Sequence, residues 1–381
     1  MVDHGANAGS PTRVLVVGAS GRMAASMLAR LGLEPSVADL YGDADTQMIC
    51  NGRVTRLQRL SDLKECGRLV RAHEFVLFTG GLEGSASLAK LLVQWSRPLF
   101  ATAVSVERLL DVELLNAALA RSGIHRFHFQ TSVEKVSWPA VLKDPAHSAT
   151  ARLIAGPELL TEVDLTGQVL QQHIPGESVS LIFVADRGVV SCLGGTLQLT
   201  ESMKWVGSIS GLRLEKANAE TAQRFASELV ERTGLKGVFG IDFIRNAEGI
   251  WPVDINPRIP ASAEVVGDHV MVRHLKAFGI ECAFERQPTE LTRGKMVVFN
   301  RSNRPLEFRL GCLGEFRMGA LSFEKALGQV WIADVPSVNE LIPPDAPVCT
   351  VLATGSDVND LKSKLSRLEG EVLRSLGVEN R

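Results

Sequence analysis

The chain has 381 residues, which suits roughly two or three packed units better than one ordinary core. Apolar residues make up 45% and charged residues 22%, the profile of a soluble globular protein. A formal charge of -2 excludes an electrostatic grip on nucleic acid or on anionic lipid.

The opening segment MVDHGANAGSPT (1–12) is polar and lacks an apolar core, so it reads as a disordered tail and not as a signal peptide. Arg13 to Val17 (RVLVV) is a short β-branched run, as a buried parallel strand requires. Gly18 and Gly21 follow at a turn, and Met23, Met27, Leu28 and Leu31 repeat with helical spacing. Ser36 to Leu40, Phe75 to Thr79 and Pro98 to Ala101 read as further strands. Strands alternating with helices predict a parallel, doubly wound unit over about residues 12 to 105.

A helix at Val112 to Ser122 and a strand at Pro139 to Lys143 come next. From residue 169 the texture changes to antiparallel hairpins (VLQQHI, SVSLIFVAD, VVSCLGGTLQLT). A helix over Ala219 to Thr233 ends at Gly234, where a left-handed C-cap is expected. The hairpin 237–258 follows, then a helical stretch around Ser262 to Phe278. After about 290 the runs KMVVFN, QVWIADV and VCTVLAT read as strands, and Asp357 to Leu376 as a closing amphipathic helix. No run approaches 18 apolar residues, so no membrane span is expected. Six cysteines without a C-x-x-C pair suggest reduced structural thiols in a cytoplasmic protein.

The hairpin GVFGIDFI–RNAEG–IWPVDINPR carries the chemistry. If Ile244 faces Ile250, Asp242 pairs with Pro252, Asp254 with Gly240 and Asn256 with Val238. Asp242, Asp254 and Asn256 then project from one face, two carboxylates and an amide oxygen suited to Mg²⁺. A register slip of one residue would scatter them. Arg258 adds a fixed cation just beyond.

These residues resemble the ATP-grasp superfamily, whose nucleotide site ends in an acidic strand and an E-I-N-P-R type segment. The resemblance implies that Asp242, Asp254 and Asn256 hold Mg²⁺, with Arg258 beside the phosphates. Upstream, VLQQHIPGESVSLIFVADRGVV is similar to the family's hinge. It implies that Gln171, Gln172, His173 and Ile174 meet adenine and that Glu177 takes the ribose hydroxyls. WPAVLKDP resembles the strand whose lysine reaches the phosphates, here Lys143; Lys204 is a further candidate for charge neutralisation. The implied architecture is α/β and α+β: a Rossmann-like pre-ATP-grasp domain (13–105), an ATP-grasp domain (106–288) and a small β-rich C-terminal domain (289–381). The implied activity is an ATP- and Mg²⁺-dependent ligation of a small-molecule carboxylate to an amine through an acylphosphate, in the manner of family members of cofactor biosynthesis, with a homodimer as the expected assembly. Three departures stand out: AHSAT (146–150) has no glycine where the family places a flexible loop, Asp254 replaces the usual Glu, and Gln171 stands where an acidic residue is common at the hinge, a smaller change because backbone groups mainly read adenine there.

Two other readings compete. Gly18, Gly21, Ala24 and Asp39 match a dinucleotide fingerprint, which would make the chain a nicotinamide-dependent oxidoreductase. The glycine-free AHSAT segment also fits a nucleotide-binding protein without turnover.

Overall fold

The computed structural model describes residues 12–81, 97–100, 103–124, 129–130, 133, 136–144, 147–160, 168–284, 291–308, 317–318 and 330–378. The polar tail before Thr12, most of GGLEGS (80–85) and Ala146 lie outside the described residues.

The first unit is a parallel sheet of β1 (Arg13–Val17), β2 (Glu34–Asp39), β3 (Val54–Arg56), β4 (Phe75–Phe78) and β5 (Arg97–Leu99), in the order β3-β2-β1-β4-β5. Its central strand is apolar on both faces because both are covered. Leu15 and Val17 pack with Leu63 and Val70. On the other face, Val14 and Val16 share a core with Met27 and Leu28 of the helix Arg22–Arg30. That core continues into Ile182, Val238 and Met271, so the first unit is fused to the rest by buried apolar contact.

The glycines at the first turn answer to packing. A Cβ on Gly18 would lie 2.0 Å from Thr79 Oγ1, and one on Gly21 would lie 2.6 Å from a Val37 methyl.

A four-stranded antiparallel sheet comprises β6 (Phe129–Gln130), β7 (Ala140–Asp144), β8 (His147–Ile154) and β9 (Val169–Gln172), ordered β6-β9-β7-β8. The large sheet adds β10 (Glu177–Asp186), β11 (Val189–Glu201), β12 (Lys204–Ser210), β13 (Gly237–Asn246), β14 (Gly249–Asn256) and β15 (Thr292–Phe299). After the short β16 (Leu306–Glu307) come β17 (Arg317–Met318), β18 (Trp331–Ala333), β19 (Leu341–Ile342) and β20 (Pro347–Gly355). Nine strands run as β14-β13-β10-β11-β12-β15-β20-β18-β17. Because β15 pairs with β12, the strands after Thr292 extend this sheet and are not set apart from it.

The helix Lys216–Thr233 covers one face of the large sheet, burying Phe225 and Leu229 with Phe239 and Phe243. Each such side chain contributes roughly 1.5–3 kcal/mol. Gly234, at φ 69, closes the helix in the left-handed conformation that the sequence predicts. The expected helix over 262–278 is broken in two (Ala263–Val266 and His269–Ala277) at Gly267, whose φ of 123 no helix accommodates. The closing helix Val358–Ser375 is capped by Asp357, which accepts from the backbone N–H groups of Asn359 and Asp360.

Candidate active site

A cavity of about 1450 Å³ opens between the small sheet, the large sheet and the carboxyl ends of the first sheet. Lys143, Gln171, Gln172, His173, Ile174, Lys204, Asp242, Asp254, Asn256 and Arg258 all line it. Residues spread over more than a hundred positions are brought to one space by three sheets.

The hairpin that carries Asp242, Asp254 and Asn256 departs from the simple register expected of it. Near the turn Ile244 pairs with Trp251 and Arg245 with Ile250, one residue off the expected pairing. That slip would send Asp254 to the opposite face from Asp242. Val253 is an extra residue in β14, a bulge between Phe243↔Pro252 and Asp242↔Asp254. It shifts the pairing once more, so Asp242 stands directly opposite Asp254, and Asn256 pairs with Gly240 two positions along the same face. The three side chains converge as the sequence suggests, by a different pairing.

Asp242 carries the electrostatic cost. Burial and the facing Asp254 raise its carboxyl to about 6. Gln198 Nε2 donates to its Oδ1 at 2.7 Å, and Asn256 Nδ2 approaches its Oδ2 at 3.4 Å. Lys143 reaches the same place from the small sheet and donates from Nζ to the carbonyl of Val253, the bulge residue. Burial lowers its pKa, and Asp254 and Asp242 oppose that shift. Arg258 Nη2 donates to Asn256 Oδ1 at 3.0 Å, and its guanidinium lies against Gly80 of the first unit. Two facing carboxylates within reach of one lysine fit a hard divalent cation, whose other ligands come from phosphate and water. Asn256 offers less than expected, since its oxygen already accepts from Arg258. Among the described residues no group of three or more His, Cys, Asp and Glu side chains is gathered for a metal.

The expected hinge is the connection from β9 to β10. Gln171 is buried, and among the described residues its Nε2 has no hydrogen-bond partner, an orphaned donor of the kind that calls for an explanation. His173 acts through its backbone, its N–H donating to Pro139 O at 2.9 Å. Gly176 is required where the hinge enters β10, because a Cβ there would lie 2.6 Å from Arg245 O.

Glu177 needs correction. Ser178 and Ser180 face the cavity, and alternation turns Glu177 to the other face of β10. There it pairs with Arg245 and forms an ion pair with its guanidinium, outside the cavity lining. Sequence reading also missed Gln198, which sits opposite Ser178 on β11 and holds Asp242. Its one signal was a polar residue between leucines in TLQLT. Lys204 opens β12 at the cavity rim and is exposed. From His147 onward AHSAT lies in β8, and His147 pairs with Asp144 of β7.

The dinucleotide fingerprint is explained without a cofactor. Asp39 is fully buried, and its two oxygens accept backbone N–H groups from Gly21 (2.8 Å), Tyr41 (3.2 Å) and Gly42 (2.8 Å). It ties down the glycine turn and has no face to offer a ribose.

Residues 133–262 match the model of the ATP-grasp domain, the span that contains Lys143, the hinge and the acidic hairpin. The chain carries an ATP-grasp domain. The fold is shared with solved structures over almost their whole length. An N5-carboxyaminoimidazole ribonucleotide synthetase solved with ADP is 12% identical with a TM-score of 0.70, covering 96% of this chain and 98% of that one. The enzyme of that name from Thermus thermophilus is 15% identical with a TM-score of 0.68, covering 97% and 99%. An L-amino acid ligase from Bacillus licheniformis is 15% identical with a TM-score of 0.67, covering 95% and 98%. At these identities the likeness concerns the fold. No curated protein matches the chain by sequence.

Proposed function

We propose that this ATP-grasp chain is an ATP-dependent ligase that joins a carboxylate to an amine through an acylphosphate. The observation that carries the reading is the facing pair Asp242 and Asp254, reached by Lys143 from the opposite wall of the cavity. Two carboxylates set against each other in a cavity wall are costly unless a cation is held between them. Mg²⁺ bound there would neutralise phosphate charge. Lys143 and Arg258 supply the protein's own positive charge, and Lys204 stands at the rim. Phosphoryl transfer asks a protein mainly for positioning and charge neutralisation, so no protein nucleophile is needed. Gln171 Nε2, buried and unpartnered at the hinge, is the donor available to an adenine ring nitrogen. The related solved proteins include a synthetase crystallised with ADP and a ligase of amino acids, which supports this class of reaction.

The test is twofold. Mg-ATP, and not NADP(H), raises the melting temperature, as a ligand of the native state must. ADP is then released when acids and amines are offered in pairs. Stabilisation by NADP(H) alone would refute the reading, and Mg-ATP binding with no ADP release for any pair would favour a nucleotide-binding protein without turnover.

A further inference from the structure

The cavity continues past the acidic hairpin into a wing between the first unit and the C-terminal strands, lined by Arg22, Tyr41, Asp43, Arg56, Asp334 and Glu340. Six carboxylates crowd this region, and five of them are accounted for. Asp39 is taken by three backbone N–H groups. Asp45 accepts from the backbone N–H groups of Asp334 (3.0 Å) and Val335 (3.1 Å). Asp334 receives Arg22 Nε at 2.9 Å and Thr350 Oγ1 at 2.6 Å. Glu264 is held by Arg22 and by Lys295 Nζ at 2.8 Å. Glu340 pairs with Arg56.

Asp43 is the sixth. It stands at the N-cap of the helix Ala44–Ile49, where an Asp normally accepts from the first turn, yet its side chain makes no capping bond. Only 5% of the residue is exposed, and that part faces the cavity. Among the described residues neither carboxylate oxygen has a hydrogen-bond donor or an ion-pair partner. A buried carboxylate left this way is expensive in the empty protein. Burial, then Asp334, Asp45 and Asp39, push its carboxyl up to about 9.

We propose that this wing is a subsite for a primary ammonium group of the substrate, with Asp43 as its counter-ion. The inference rests on the ligase reading and adds to it. An amine that attacks an acyl group must be unprotonated, so the ammonium at Asp43 is a second nitrogen on a diamine or amino-acid type of substrate. A divalent metal ion fits the wing poorly. It needs several oxygens at once, and those of Asp334 are occupied by Arg22 and Thr350. A monocation with three N–H donors needs one free carboxylate.

The probes are 1,4-diaminobutane, its neutral isostere butane-1,4-diol, the dianion succinate, and Mg²⁺ alone. Each is titrated calorimetrically into the full chain and into Asp43→Asn, both saturated with Mg-ATP except in the Mg²⁺ arm. The diamine binds the wild type, the diol and succinate do not, and Asp43→Asn weakens the diamine by about tenfold or more. Asp43→Asn keeps the shape of the side chain and denies it only the ionised form that an ammonium draws out, so it folds and binds Mg-ATP as the wild type does. The proposal fails if no diamine binding is seen, if Asp43→Asn binds the diamine equally well, if succinate binds in its place, or if Mg²⁺ alone occupies the wing and is lost in the variant. Failure of both proteins to bind Mg-ATP would instead strike the ligase reading, which keeps the two failures distinct.

Discussion

With Asp242 assigned to Mg²⁺ as proposed, protons and the metal compete for it, which makes nucleotide binding depend on pH in a calculable way. Its carboxyl is raised from 3.8 to about 6, first by burial and then by Asp254 across the hairpin. At about 1.4 kcal/mol per unit, that corresponds to an upper bound of about 3 kcal/mol, and partial access to solvent lowers it. A raised acid stabilises the fold below its unfolded value, and that stability is lost as pH rises through about 6. The protein without ligand therefore melts lower at neutral pH than the rest of its charges would dictate. Metal binding runs the other way, because the cation needs the ionised carboxylate. Calorimetric affinity for Mg-ATP is flat above about pH 7 and falls about tenfold for each unit below about pH 6. Asp254→Asn removes the facing charge, so the carboxyl of Asp242 falls toward its ordinary value. In the same variant the ligand-free protein gains stability at neutral pH and Mg-ATP affinity drops by about tenfold or more. Affinity unchanged down to about pH 5, or an Asp254→Asn variant that binds Mg-ATP like the wild type, would refute the assignment of this pair to the metal.

Glu264 is held by two buried cations, with Arg22 Nη2 at 3.0 Å and Lys295 Nζ at 2.8 Å. Glu264→Gln leaves both underpaired and should cost about 3–5 kcal/mol in chemical denaturation; a cost below about 1 kcal/mol would show that water already relieves them. Gln171→Leu removes an unpaired buried amide, so the ligand-free protein holds or gains about 1 kcal/mol while ATP affinity falls. Equal ATP affinity in calorimetry would remove Gln171 from the adenine site. Gly21→Ala drives a methyl to 2.6 Å from Val37, and the expected loss of about 1–3 kcal/mol is read from thermal melts; an unchanged melt would mean that the turn is not packed as described.

Much of the architecture is legible because local patterns carry it. RVLVV is a strand that two covered faces require, and Gly234 ends its helix in the left-handed conformation that glycine adopts without strain. The single helix expected over 262–278 fails because Gly267 breaks it through φ alone, which composition does not display. Glu177 shows a second limit: a glycine followed by an acid matches a motif, but strand alternation decides which face the acid occupies, and one residue reverses it. Gln198, and the Arg22–Glu264–Lys295–Asp334 network, depend on contacts between positions far apart in sequence. Nothing local announces them.

The Val253 bulge shows how much can hang on a single extra residue. A two-residue turn at Ala247 and Glu248 sets a pairing in which Asp242 would face Val253 and Asp254 would point away. Inserting one unpaired residue between Pro252 and Asp254 restores the parity of the strand, and both carboxylates come to the cavity face. The carbonyl of that extra residue, Val253, is the one that receives Lys143 from the small sheet. The acidic pair and the lysine that answers it are therefore consequences of one irregularity in β14. A hairpin without it would have kept the D-I-N-P-R sequence and lost the convergence that gives it chemistry.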